Sequence, residues 1–424
     1  MIWRLFYNSV LIPLGWLGFQ LYGIVNAKTK RGIRGRRDLF ARLIAAAANW
    51  KKDAPRIWFH ASSMGEFEQA KPIISALKKD FPGLIVVVSF FSPSGYENSL
   101  SYREADLITY IPFDSPRNAA RFVDLVRPTA AVVMRYDLWP NHIWRLHDEK
   151  IPALLVNATM RKNSIRNLPL FRMFHRSLYD ALHAILTVSD NDRELFASYG
   201  LRAATVETTG DTRYDQVARR CDESKKKRYF PGGVLKGKKV FVVGSSWEED
   251  ERLLLPALER LAGAYPGLLT ILVPHEPTMR HLADLEARMN GVISNLRFSQ
   301  IVSYAGEEVV IVDSIGVLVS LYQYADLVYV GGGFGDGVHN VLEPAVYGVP
   351  VVIGPNYENS QEAAELRGRG AVMSISDGEE LGAALEKLLG DDGLRLRMGR
   401  TAGEFIAERR GATDRILSHL SKLL

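Results

Sequence analysis

A single cysteine, Cys221, stands in 424 residues. It excludes an intrachain disulfide and a thiolate zinc site, and it suits a reducing compartment. No internal repeat is evident, which sets aside solenoids and propellers. A large excess of one charge is also missing. Fifty-three Lys and Arg stand against 48 Asp and Glu, a formal net charge of +5. A balance that mild gives no reason to expect a nucleic-acid partner. The length suggests two domains of roughly 200 residues each, enough for two cores.

The most telling absence is local. Between Arg4 and Lys28 no residue is charged, leaving positions 5 to 27 free for Leu5, Phe6, Leu11, Ile12, Trp16, Leu17, Phe19 and Leu21. That length suffices for a membrane-spanning helix of about 20 residues. Asn8, Pro13, Gln20 and three glycines weaken it towards an interfacial segment. A signal peptide would have a shorter apolar stretch and a small-residue cleavage site. Lys28, Lys30, Arg31, Arg34, Arg36, Arg37 and Arg42 follow at once. Such a cluster stays on the cytoplasmic side and binds anionic head groups. The structural alternative is an amphipathic first helix packed on the protein, followed by a solvated basic turn.

From residue 55 onwards, short apolar runs alternate with helical stretches. Strands are expected at Arg56 to His60, Leu84 to Ser89, Leu107 to Ile111, Ala130 to Met134, Ala153 to Asn157 and Ala184 to Val188. A second series is expected at Val240 to Gly244, Leu268 to Val273, Val309 to Val312, Asp326 to Val330, Val349 to Ile353 and Ala371 to Met373. Continuous Val/Ile/Leu strands between helices imply parallel sheets covered on both faces. The pattern lapses from Thr209 to Lys239. The division is therefore 1–27 as anchor, 28–210 as a first Rossmann-like domain, 211–239 as linker and 240–424 as a second, its last helix able to pack back on the first. Doubly wound halves place their ligand crevices at strand C-terminal ends, and two of them can face one another across a cleft.

Residues 331 to 337, Gly-Gly-Gly-Phe-Gly-Asp-Gly, follow an apolar strand, and a helix is expected to open near Val338 or His339. Glycine lets backbone approach a ligand closely, and a helix N-terminus offers N–H groups to an anion. The spacing is not the dinucleotide G-x-G-x-x-G pattern. His339, Asn340 and Glu343 crowd the helix start instead, which suggests a nucleotide-sugar donor. Ser245 and Ser246 end another strand, as an anion site or a plain N-cap. The turn at His275 could hold a base or ribose, and Arg213 could clamp a phosphate or make a structural ion pair. In the first half, Ser62 and Ser94 end successive strands beside Gly65 and Glu66, where Glu66 either caps a helix or faces the crevice. Tyr136 and Trp139 at a third strand mouth could stack on a sugar or pack beneath it.

Taken in order, H-A-S-S-M-G-E, Y-D-L-W-P-N, T-G-D-T-R-Y-D, V-P-H-E-P and G-G-x-F-G-D-G-x-H-N-x-L-E-P-A resemble the 3-deoxy-D-manno-octulosonic acid (Kdo) transferases of lipopolysaccharide synthesis, glycosyltransferases of the family 30 type. The resemblance covers essentially the whole chain. It implies an α/β fold of the GT-B class, and transfer of Kdo from CMP-Kdo to a lipid A precursor, lipid IVA, with inversion and without metal or cofactor. The acceptor is met at the inner membrane, the enzyme being peripheral or single-pass with a cytoplasmic body. Donor residues carried over are Arg213, Ser245, Ser246, His275, Gly335, His339, Asn340 and Glu343. Acceptor residues are Ser62, Gly65, Glu66, Ser94, Asp137, Trp139 and Asn141, with Arg34, Arg36 and Arg37 meeting lipid phosphates at the anionic membrane. Arg213 stands where the family commonly has lysine, and His275-Glu276-Pro277 where it often has Arg-His-Pro.

One departure concerns catalysis. The family's catalytic glutamate, read in register with Phe40-Ala41-Arg42-Leu43, falls on Ala41. Alanine cannot act as a base. Three readings stay open: Asp38 substitutes, the register shifts in this short region, or the chain carries an inactivating substitution that traps substrate. Two other functions compete, a GT-B transferase using a UDP-sugar and a lipid A precursor binding protein without turnover.

Overall fold

The computed structural model describes residues 2–424. Its chain divides into two compact units, one running to Gln216 and including Arg410–Leu424, the other Val217–Arg409. Strands of the first unit are β1 (Arg56–Ala61), β2 (Ile85–Phe90), β3 (Leu107–Tyr110), β4 (Ala130–Met134), β5 (Ala153–Ala158), β6 (Ala184–Thr187) and β7 (Thr205–Thr208). All pair in parallel, in the order β3-β2-β1-β4-β5-β6-β7. Successive side chains point to opposite faces. Trp58, Val87, Val133 and Leu155 enter one core, while Ile57, Phe59, Val86, Val132 and Val156 enter the other. Both faces are covered by helices, which is why these strands read as unbroken apolar runs.

The second unit repeats the plan with β8 (Lys239–Ser246), β9 (Leu268–Pro274), β10 (Asn295–Arg297), β11 (Val309–Ile311), β12 (Leu327–Val330), β13 (Val351–Ile353) and β14 (Val372–Ser374). Its order is β10-β11-β9-β8-β12-β13-β14, again parallel. In each unit the strand order reverses once, between β1 and β4 and between β8 and β12. Ligand crevices of doubly wound sheets open outside the strand C-termini at such switch points.

Three expectations need correction. Strands β7 and β10 were not foreseen, because neither is an apolar run: β7 is an edge strand with no buried residue, and β10 is three half-buried residues long. The stretch 211–239 is not simply a linker, since Thr212–Ser224 is a helix. Its buried apolar residues Tyr214, Val217, Ala218 and Cys221 recur at helical spacing. Lastly, no helix opens at Val338 or His339; the helix there is the four-residue Leu342–Ala345.

The N-terminal segment Ile2–Val25 is one helix, with a π-turn over Tyr7–Leu11, and it is long and apolar enough to cross a membrane. One side of it is tied to the first unit. Arg4 pairs with Asp148 at 2.6 Å, Tyr7 Oη donates to Asp114 at 2.9 Å, and Asn141 Nδ2 donates to Asn8 Oδ1 at 2.7 Å. Further along, Phe19 packs on Phe91 and Phe113. The C-terminal helix Ala412–Leu420 buries Ile416, Leu417 and Leu420 in the core of the same unit. Asp215 holds its start, accepting from the amides of Gly411 and Thr413, each at 2.7 Å.

Candidate active site

At the β1/β4 switch point of the first unit, polar side chains converge on one carboxylate. Asp137 Oδ2 accepts from Ser62 Oγ at 2.5 Å and from Trp139 Nε1 at 3.1 Å, and it lies 3.1 Å from His60 Nε2. Burial pushes this carboxyl up, but the bonds from His60, Ser62 and Trp139 outweigh it, leaving the pKa below the ordinary value. Buried His60 continues the chain through Nδ1 to Ser89 Oγ at 2.9 Å, which also receives Trp58 Nε1 at 2.7 Å. Sequence reasoning had passed over His60 as a site residue. An apolar strand interrupted by histidine just before the turn was the available signal.

Glu66 takes the capping role. Its Oε2 accepts the Ser62 amide at 2.6 Å, and Ser63 Oγ accepts the Glu66 amide at the start of helix Met64–Asp80. Burial raises its pKa, partly offset by the Ser62 amide. A methyl group on Gly65 would meet nothing within 4 Å, so this position borders open space. The start of helix Pro93–Ser99, which carries Ser94, abuts the cluster, since Ser92 N donates to the Ser62 carbonyl at 3.0 Å and Ser94 Oγ bonds Ser92 Oγ at 2.9 Å.

Other acceptor candidates are committed elsewhere. Asn141 is buried and joins Asp114 to Asn8 of the N-terminal helix, a structural task. Arg36 donates to the carbonyls of Ile111, Gly32 and Phe91 at 2.8 to 2.9 Å and lies over the Phe91 and Tyr110 rings. Burial lowers its pKa to about 10. Arg34 and Arg37 are exposed. Asp38 and Ala41 are exposed too, at the N-cap and on the outer face of helix Leu39–Ala47, which buries Leu39 and Leu43.

In the second unit, Ser245 near the end of β8 has a left-handed φ of +55°, and β12 runs into the glycine loop. A Cβ on Gly331 would come within 2.3 Å of the Ser245 carbonyl oxygen, so glycine is required for the two strand ends to meet. The loop then folds on itself, with Gly337 N donating to Gly332 O at 3.0 Å and His339 N to Gly331 O at 3.1 Å. These bonds use the amides that a helix start would have left free, which explains the missing helix at His339. Asn340 Oδ1 instead accepts the Leu342 amide at 3.1 Å, and Glu343 accepts from Arg220 at 3.1 Å. Gly335 is exposed at the loop tip.

Residues outside the expected set bind this corner together. Buried Asp250 accepts from Trp247 N at 2.9 Å, Tyr329 Oη at 2.7 Å and Gly332 N at 2.8 Å. Ser246 Oγ donates to Glu251 at 2.8 Å, and Glu251 meets His281 Nε2 at 2.8 Å. Ser246 is not the N-cap, since helix Glu248–Ala264 is capped at Trp247 and the Ser246 hydroxyl is held by Glu251. Trp247, His275 and His339 form a stack: His275 lies 4.4 Å from each of the other two rings, and Trp247 Nε1 donates to His339 Nε2 at 2.8 Å. Arg213 belongs to the first unit, where its Nε is 2.8 Å from Asp211 Oδ2, the ion-pair alternative.

The family model described as 3-Deoxy-D-manno-octulosonic-acid transferase (kdotransferase) matches residues 37–216. The 3-deoxy-D-manno-octulosonic acid transferase of Haemophilus influenzae is 28% identical over 432 residues, covering 100% of this chain and 99% of its own. That of Aquifex aeolicus is 29% identical, covering 78% of this chain and 86% of its own. By the model over residues 37–216 and by these relatives, the chain is similar to Kdo transferases. Kdo transferases are glycosyltransferases, and the family match takes in Ala41 and the whole Asp137 cluster. A structure of UDP-GlcNAc 2-epimerase from Neisseria meningitidis bound to UDP-GlcNAc is 17% identical, with a TM-score of 0.60, covering 87% of this chain and 100% of that one. At that identity the likeness is one of fold, the GT-B class of paired doubly wound units.

Proposed function

We propose that this chain takes Kdo from CMP-Kdo and passes it to a lipid A precursor such as lipid IVA, with inversion and without a metal. The work is done at the inner membrane with the body in the cytoplasm. One observation carries the lipid acceptor. The helix Ile2–Val25 is fastened along the first unit from Arg4 to Phe19, while Leu5, Leu11, Leu14, Trp16, Leu17 and Leu21 face outward and exposed. A helix tied down along its length does not cross a bilayer while docked. It lies in the interface with its apolar row in the lipid. The same unit carries the Asp137 cluster, so that cluster is brought to a membrane-borne substrate.

The donor belongs with the second unit. The imidazole and indole planes of His275, His339 and Trp247 suit a flat nucleobase or a sugar face. A CMP-sugar has one phosphate and one carboxylate, a charge that amides and a few cations can hold without magnesium. In the transfer the acceptor hydroxyl attacks the anomeric carbon, the bond to the phosphate oxygen breaks, and the hydroxyl proton goes to a base. With alanine at position 41 that base is missing, and we read the chain as binding both substrates with little turnover. A second reading is favoured by Asp38, exposed one turn away with no capping bond from its side chain.

The test is radiolabelled Kdo transfer to lipid IVA by this chain and by Ala41→Glu, with binding of CMP-Kdo and lipid IVA measured separately. Binding of both, with transfer rising by about 10²- to 10⁴-fold in Ala41→Glu, is expected. High transfer by the unaltered chain, abolished in Asp38→Asn, would establish the second reading. Failure to bind CMP-Kdo would overturn the function.

A further inference from the structure

Beside the Asp137 cluster, at the C-terminal ends of β4 and β5, an open cavity of about 860 Å³ is lined by Arg135, Arg161, Lys162 and Arg166 and by no acidic residue. None of these four cations has a salt-bridge partner among the described residues. Arg135 is the innermost. Its backbone is left-handed, at φ +63°, a conformation seldom adopted by a residue with a side chain. Its Nε–H is buried without any hydrogen-bond partner. Buried donors are almost always satisfied, so the unpaired Nε–H sets this cavity-lining arginine apart as a residue whose hydrogen bonding is incomplete. Arg166 lies over the Tyr136 ring at 5.3 Å, while Arg161 and Lys162 are exposed at the rim.

What such a site would hold is an oxyanion. That it is borne on a lipid follows from the segment completing the rim. Ile165, Leu168, Leu170, Phe171 and Met173 are all exposed, an apolar run that water disfavours. It continues into the N-terminal helix, because Phe174 packs on Trp3 at 5.8 Å and on Tyr7 at 5.9 Å. In the basic stretch at 28–42, Arg36 and Arg42 donate to carbonyls and Arg31 pairs with Glu97. Lys28, Lys30, Arg34 and Arg37 are exposed there and suit a diffuse anionic surface.

We propose that this cavity binds a phosphate group of the acceptor lipid while residues 165–173 enter the membrane interface beside the N-terminal helix. The proposal rests on the lipid A precursor reading above and adds the residues that recognise its charge. Arg161 and Lys162 make the entry contacts, and Arg135 makes the inner one. The sugar hydroxyls are thereby delivered towards Ser62 and Asp137, which begin two residues beyond Arg135 on the same loop and at the neighbouring strand end.

The full chain and the double variant Arg161→Gln/Lys162→Gln are compared by vesicle co-sedimentation. Both side chains are exposed, so the melting temperature should not change. Phosphatidylcholine vesicles carry either bisphosphorylated lipid A precursor, the same precursor stripped of phosphate, or phosphatidylglycerol of matched charge. The expected result is about tenfold or greater weakening on the phosphorylated precursor alone. An equal loss on phosphatidylglycerol would reduce the cavity to general surface charge and overturn the site. Undiminished binding of the variant, with the unaltered chain still preferring the phosphorylated precursor, would overturn the site but leave the acceptor reading standing. No preference by the unaltered chain would overturn both. Displacement by millimolar inorganic phosphate without any lipid dependence would assign the cavity to a soluble anion and overturn the lipid assignment.

Discussion

The indole Nε1–H of Trp247 donates to Nε2 of His339 at 2.8 Å, with the two rings within 13° of parallel. This contact requires an unprotonated Nε2 and so selects a neutral imidazole carrying its proton on Nδ1. Burial, with His275 alongside, lowers the His339 pKa below its usual value and acts in the same direction.

Replacing Trp247 by Phe should therefore raise the pKa of His339, read from its ring resonances in an NMR titration. The sign for stability follows from the depressed value. Unfolded chain binds more protons below about 6.5, so the folded protein loses stability as pH falls from there towards the lowered native pKa. Above that window His339 contributes no pH dependence. An unchanged pKa in Trp247→Phe would show that the contact does not govern protonation.

Two glycines of the same loop should behave oppositely. A Cβ at Gly331 would press on the Ser245 carbonyl at 2.3 Å, whereas at Gly335 the nearest atom is 3.8 Å away. Gly331→Ala is expected to cost about 1–3 kcal/mol by overpacking and to weaken CMP-Kdo binding. Gly335→Ala should stay within about 0.5 kcal/mol. Chemical denaturation and calorimetry with CMP-Kdo measure both.

Asp137→Asn should cost about 1–2 kcal/mol, because an amide cannot accept from Ser62 and Trp139 as the carboxylate does. Since the native pKa of Asp137 is lowered, its stabilisation is fully present above the unfolded value near 3.9 and is lost as pH falls through the native one. Melting curves from pH 3 to 7 should converge for variant and parent at the acid end.

Asp114 is fully buried and accepts from Tyr7 Oη, the Asn141 and His142 amides and His142 Nδ1. Asp114→Ala should cost roughly 3–5 kcal/mol by orphaning these donors. It should also loosen the N-terminal helix, read as faster proteolysis near Tyr7.

Much of the architecture was legible in advance. The twelve expected strands were apolar because a parallel sheet under two helix layers buries both faces of each strand, so a local run of Val, Ile and Leu is sufficient signal. The two strands that were missed, Thr205–Thr208 and Asn295–Arg297, have no buried residue and hence no such run. Helix Thr212–Ser224 carried its signal at Tyr214, Val217, Ala218 and Cys221, obscured by the charges between them.

The candidate site was legible as chemistry but not as allocation. Motif order sufficed to point to the family and to the strand ends where polar groups gather. Whether a given group is available or spent depends on partners distant in sequence, and no local pattern reveals them. Arg36 looked like its neighbours Arg34 and Arg37, but three carbonyls 55 and 75 residues away, or one turn back, occupy its guanidinium. Asn141 looked like a ligand until Asp114 and Asn8 claimed it. Conversely Arg135, unremarkable in the sequence, became conspicuous once its Nε–H was seen to be buried with nothing to bond. Sequence alone determined the sheets and the apolar helix, because burial and backbone pairing follow from local composition, and its motifs pointed to the likeness with Kdo transferases. Tertiary structure decided which charges are left over to meet a substrate, because a hydrogen bond is settled by distance in space.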